Sequence, residues 1–130
     1  MTTTTPARGR GRTAAVGVAA GAALAVLCAA GTAHAHFYVS LQTYSNVRSA
    51  PNTGGGVVVN TGSIKERFYL DGVCYTRGQY IKSGGYGTDV WYHGSVHDSV
   101  DLTVGPYNNV WVWGGNVDIG RDPADSVRPC

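Results

Sequence analysis

Asn46-Val47-Arg48-Ser49-Ala50-Pro51-Asn52 is the most sharply punctuated stretch of the chain, and its reading decides the fold. A polar and apolar alternation through Val39, Leu41 and Thr43 runs into it. Pro51 and the three glycines Gly54 to Gly56 then stop the extended run and turn the chain, and Val57-Val58-Val59 starts a second one. Strand, turn, strand is the local reading.

The same style continues outward. Residues 36–48 read as an extended arm and a first strand, and residues 57–60 as a second. Across residues 65–76, Phe68, Leu70 and Cys74 fall on one side and Tyr69, Asp71, Val73 and Tyr75 on the other, with Asp71-Gly72 marking a bulge or turn. Residues 77–87 are polar and glycine-rich and read as a loop. A fourth strand is expected at 89–93, with Val90 and Tyr92 opposed to Trp91 and His93. Residues 95–106 are ambiguous, with a hairpin arm through Val100, Leu102 and Val104 as one reading. The last strong strand is 109–113, Val110 and Val112 facing one way and Trp111 and Trp113 the other; residues 117–119 are expected to add a short pairing. Several short strands with no helix between them exclude a parallel sheet and predict an all-β domain, a small antiparallel barrel or a two-sheet sandwich.

Residues 1–35 are set apart by composition. Arg8, Arg10 and Arg12 precede an Ala/Val/Leu stretch, and Ala33-His34-Ala35 fits small-x-small cleavage, so the segment reads as a secretory signal peptide, with a retained membrane anchor as the alternative. Three of the ten Lys+Arg lie in it and none of the eight Asp+Glu. Residues 36–130 therefore carry seven basic against eight acidic residues, a net of about −1. A chain of that balance, without a Lys/Arg cluster, has no electrostatic footprint for nucleic acid and none for a membrane surface after cleavage. The expected organisation is a leader (1–35), an arm (36–43), a barrel (44–120) and a tail (121–130), exported to the cell exterior or the cell wall. Cys74 and Cys130 are the two cysteines beyond the leader. In a secreted chain such a pair reads as a disulfide, with free thiols or an intermolecular bridge as alternatives.

Asn46-Val47-Arg48-Ser49 with Pro51, the extended pair after it, and Cys74-Tyr75-Thr76-Arg77-Gly78-Gln79 with the later Asp89-Val90-Trp91 together resemble the bacterial SH3-like domains, in the form seen in secreted actinobacterial members. The resemblance covers about residues 44–119. It departs from the family pattern at Ala50, where Gly is common, in residues 61–67, and at Trp111-Val112-Trp113-Gly114-Gly115, where Gly-Tyr-Val is commoner. What it implies is a five-stranded SH3-like barrel used as a targeting or binding module for cell-wall peptidoglycan or an extended peptide. No catalytic domain is read beside it, so a non-catalytic binder is expected.

All eight tyrosines and all three tryptophans lie beyond residue 35. A small core cannot enclose every ring, because each buried O–H or N–H needs a partner. An aromatic platform of Trp111 and Trp113 with Trp91 alongside, edged by Tyr44, Tyr92 and Tyr107, is therefore one reading; the other is that one Trp face is core. Asn46 and Arg48 are the polar residues placed beside such a platform. Arg48 either offers a bidentate fork to a peptide carboxylate or holds backbone carbonyls or an Asp nearby.

No Gly-x-Ser-x-Gly, no His-Glu-x-x-His and no free cysteine beside a histidine occurs, and no cofactor or metal set is expected. A remote alternative has His36, as the first residue after cleavage, chelating copper through its α-amine and imidazole with His93 or His97. A further alternative is an inhibitor or partner of another secreted protein, presenting residues 79–88.

Overall fold

The computed structural model describes residues 36–130, so the expected leader lies outside the described residues. The described chain is all-β: β1 Phe37–Ser40, β2 Asn46–Arg48, β3 Val57–Asn60, β4 Phe68–Ser83, β5 Tyr86–Asp98 and β6 Tyr107–Trp113, with a single 3-10 turn after them at Gly114–Asn116. They form one antiparallel sheet in the order β1-β4-β5-β6-β2-β3. There are six strands rather than the expected five, because the arm is itself a strand. Phe37 lies flat against Gly72, where any side chain would collide with its ring, and meets Tyr92 edge-on at 5.5 Å.

The alternation in β5 and β6 sorts the side chains as expected on one face. Val90, Tyr92, Val96, Val110 and Val112 are buried in a single cluster with Val47 and Leu70. Each such burial contributes roughly 1.5–3 kcal/mol before conformational entropy is set against it. The short pairing expected at 117–119 exists as a bridge between Leu41 and Val117.

Two expectations are corrected. The glycine-rich stretch 77–87 is not a loop: β4 and β5 run through it and only Gly84-Gly85 turn. Both have positive φ (60° and 84°), which a two-residue hairpin turn of matching twist demands. Residues 95–106 hold no hairpin arm; β5 continues to Asp98 and the rest is a connection. There Asp98, buried, accepts from Arg67 Nε and Nη2 at 2.9 and 2.7 Å and from the N–H groups of Val100 and Asp101, so that Arg67 holds its carboxyl well below the usual range.

The bulge signalled near Asp71-Gly72 is present one residue later. Gly72 pairs with Gly94, Val73 has no partner, and Cys74 pairs with His93. The extra residue turns the strand over. Beyond it Tyr75, opposite Tyr92, packs on the core, while Cys74 moves to the outer side of the sheet, away from Phe68 and Leu70 with which the alternation grouped it. There it forms the disulfide with Cys130. The tail is also held by backbone bonds: Tyr75 N donates to Arg128 O at 3.0 Å, and Cys130 N donates to Tyr75 O at 2.8 Å.

Candidate functional site

The loop after β2 builds the site. Ser49 N donates to Gly56 O at 2.9 Å, closing the turn that Pro51 and the glycines start. Arg48 Nη1 donates to Thr53 O and Gly55 O at 3.1 and 2.9 Å, holding the loop from inside. The loop then docks on β4: Gln79 N donates to Pro51 O at 3.1 Å, and Gln79 Oε1 accepts from Thr53 N and Thr53 Oγ1 at 2.7 and 2.9 Å. Gly78 makes this approach possible, since a Cβ there would collide with Pro51 O.

Between that loop, the β4–β5 hairpin and the end of β6 lies an open groove of about 270 Å³. Tyr44, Asn46, Arg48, Trp91 and Trp113 line it, with Ile81 among the other lining residues. Five of the eight expected ligand-binding residues thus come together. Its lining includes one cation, Arg48, and no carboxylate. Asn46 is already engaged, its Oδ1 accepting from Asn60 Nδ2 at 2.8 Å.

Tyr44 stands out. It has φ +57° and is 70% exposed. A bulky side chain in the left-handed region costs on the order of 1–2 kcal/mol, and no burial of the ring repays it.

The open three-indole platform is corrected. Trp91 and Trp113 are 1% and 6% exposed, and their N–H groups donate to Gln79 O and Thr88 O at 3.0 and 2.9 Å. Backbone carbonyls of the hairpin satisfy them, which is why burial is tolerated. The Trp113 ring lies against Gly115, where a Cβ would run into it. Only groove-facing edges of these two rings remain. Trp111, half-buried, lies away from the groove, its ring centroid 4.4 Å from that of His93. Tyr107, also half-buried, packs against the core. Tyr92 is in the core, its O–H donating to Asp122 Oδ1 at 2.7 Å; burial, and then that hydrogen bond, push its phenol up.

Three clusters escaped the sequence reading. Asp122 also accepts from the O–H of Tyr86, so one carboxylate from the tail joins two phenols of β5. Tyr38, Tyr69 and His97 form an aromatic patch from β1, β4 and β5, with Tyr38 stacked on Tyr69 at 5.6 Å and 6.0 Å from His97. Cys74, His93 and Cys130 have their donor atoms within 4.8 Å of one another, the two sulfurs being joined. The alternation that puts Tyr69 and His97 on outward positions was the signal for the second. For the third, the cysteine count marked the two sulfurs but not His93, and nothing in the sequence marks the first.

Among the described residues that cysteine–histidine cluster is the grouping of three potential metal ligands, and it does not contain His36. His36 Nδ1 instead contacts Asp71 Oδ1 at 2.9 Å. Among the described residues no helix is long and apolar enough to cross a membrane. Compared with known proteins, the chain matches no family model, no curated protein and no solved structure.

Proposed function

We propose that this chain is a secreted, non-catalytic binding module, its sheet curled as a bacterial SH3-like barrel, and that the groove beside Tyr44 takes an extended peptide such as the stem peptides of cell-wall peptidoglycan. The observation that carries the reading is Tyr44: an exposed ring on a left-handed backbone, at the rim of a groove walled by two indoles, has no packing that explains its conformation. Strain of this kind collects at binding sites. A peptide lying in the groove would stack on Tyr44 and on the edges of Trp91 and Trp113. Arg48, with Nη1 committed to the loop, retains other guanidinium donors for a stem carboxylate, and a lining without acidic side chains suits such a ligand.

The test is sedimentation with purified peptidoglycan, intact protein beside Tyr44→Gly. Glycine removes the ring and accepts the left-handed φ. The expected result is binding weakened by about tenfold or more, the loss of an aromatic anchor, with thermal stability unchanged or raised. An intact protein that stays in the supernatant, or a Tyr44→Gly variant that sediments equally, overturns the reading.

A second reading, interaction with another secreted protein, is favoured by Tyr80 and Tyr86, both exposed on the β4–β5 hairpin. Capture of a supernatant protein that is lost with Tyr80→Ser would favour it over the first.

A further inference from the structure

The disulfide is not isolated in its chemistry. His93 Nδ1 lies 3.9 Å from Cys74 Sγ, and His93 Nε2 lies 2.7 Å from Asn109 Oδ1. An amide oxygen only accepts, so the imidazole proton sits on Nε2 and Nδ1 presents its lone pair to the sulfur. Asn109 is placed for this by an irregularity of its own. Asn108 and Asn109 together oppose Ser95 between the Gly94 and Val96 pairings, and Asn109 adopts φ +56°, which Asn tolerates better than most residues. The Trp111 ring covers one side of the imidazole. Sulfur, imidazole and amide are thus aligned in the order used wherever a thiolate is activated by histidine and the histidine is oriented by a third group.

The two cysteines differ in exposure: Cys74 is 4% exposed, whereas Cys130 is an exposed residue. We propose that Cys74–Cys130 is a thiol–disulfide exchange site, in which a low-molecular-weight thiol attacks Cys130 and Cys74 leaves as a thiolate held by the His93–Asn109 pair. In that step a new sulfur–sulfur bond forms between the incoming thiol and Cys130. The Cys74–Cys130 bond breaks with its electron pair on Cys74 Sγ, and the proton of the incoming thiol ends on His93 Nδ1. The products are a mixed disulfide at Cys130 and an imidazolium–thiolate pair; attack by Cys74 on the mixed disulfide reverses it. A leaving sulfur stabilised as thiolate departs faster.

The other charged groups on the elements packed here are Asp71 of β4, in contact with His36; Arg77 of β4, paired with Asp89 of β5; Lys82 near the hairpin turn; Asp98 of β5, paired with Arg67; Arg48 of β2, committed to the loop carbonyls; and, in the tail, Arg121 with Asp125, Asp122 with the two phenols, and Arg128; β6 carries none. Arg128 has a buried Nε without a hydrogen-bond partner and donates from Nη1 to Pro129 O at 3.3 Å. Opening the bond does not release the tail outright. The backbone pairing of Tyr75 with Arg128 and Cys130, the buried Val127 and the Tyr92–Asp122 hydrogen bond remain.

The test uses the oxidised full chain beyond its leader, incubated with excess glutathione at several pH values, acid-quenched and mapped by mass spectrometry. The expected adduct is on Cys130, with Cys74 left open to alkylation. His93→Gln should slow adduct formation by about tenfold or more below the ordinary thiol pKa of about 8.5, the difference closing above it. An adduct on Cys74, a bond that resists the thiol in the native protein, or a His93→Gln rate equal at every pH overturns the proposal. Should His93→Gln fail to fold, Cys130→Ser decides: the pH profile of Cys74 alkylation is expected to have its midpoint below about 8.5, and a midpoint at or above it rejects the proposal.

Discussion

The two ends of the sheet's outer side use the same residue type in opposite ways. At the hairpin end, Trp113 is enclosed, its N–H given to a backbone carbonyl and its ring laid over a glycine. At the disulfide end, two residues earlier on the same strand and the same face, Trp111 is only half-buried and rests on a histidine. Strand alternation fixes which side a residue faces, but what covers that side is decided elsewhere in the chain. Tyr86 of the hairpin and Gly115 cover one indole. The other is left beside a cluster of polar atoms.

The sharpest way to break this contrast is to truncate each indole. Trp113→Ala should cost about 3–5 kcal/mol in urea unfolding, the usual penalty for deleting a buried Trp, while Trp111→Ala should cost well under half of that. Equal losses would mean that the two ends are packed alike. A finer probe is Gly115→Ala. Its new methyl would occupy the space of the Trp113 ring, so a loss of about 1–3 kcal/mol is expected, and none of it should appear when the same change is made in a Trp113→Ala background. An additive result would sever the glycine from the indole.

The smallest effect is in alkaline titration at the hairpin end. The Asp122 carboxylate accepting its proton, and then burial, push the Tyr86 phenol up to about 12. Because that value lies above the unfolded one near 10, the contact contributes fully below about pH 10 and is lost as pH climbs through about 12. Ultraviolet titration should show a late phenol that moves back towards 10 in Asp122→Asn. An unmoved phenol would detach the tail carboxylate from this end of the sheet.

These contrasts mark what was legible in the sequence. The all-β class, the strand at 57–60, the shared face of Val110 and Val112, and the Cys74–Cys130 pairing were readable from alternation and cysteine count, whereas alternation alone left open which face was core. The long hairpin was not, because Gly78, Gly84, Gly85 and Gly87 look alike in a sequence yet do different things. Two of them turn the chain; Gly78 admits the Pro51 carbonyl and Gly87 admits the Tyr80 ring. Of the candidate site, Tyr44, Asn46, Arg48, Trp91 and Trp113 do meet at one groove. The burial of the two indoles was illegible because their partners are backbone carbonyls, which no side-chain pattern records. The His93–Asn109 pair was hidden for a similar reason: an unpaired Val73 and a left-handed Asn109 are backbone events.

Val73 has a further consequence. By standing without a cross-strand partner it works as a parity switch within a single strand, dividing β4 into two segments that obey opposite inside–outside rules. Deleting that one residue would merge the two segments into a single alternation, with Cys74 still opposite His93 on the outer side and Tyr75 still opposite Tyr92 on the core, and would remove the local bend. The covalent closure of the chain is therefore oriented by the partner that Cys74 meets across the strands, while the supernumerary residue only sets how the ribbon curves on its way there.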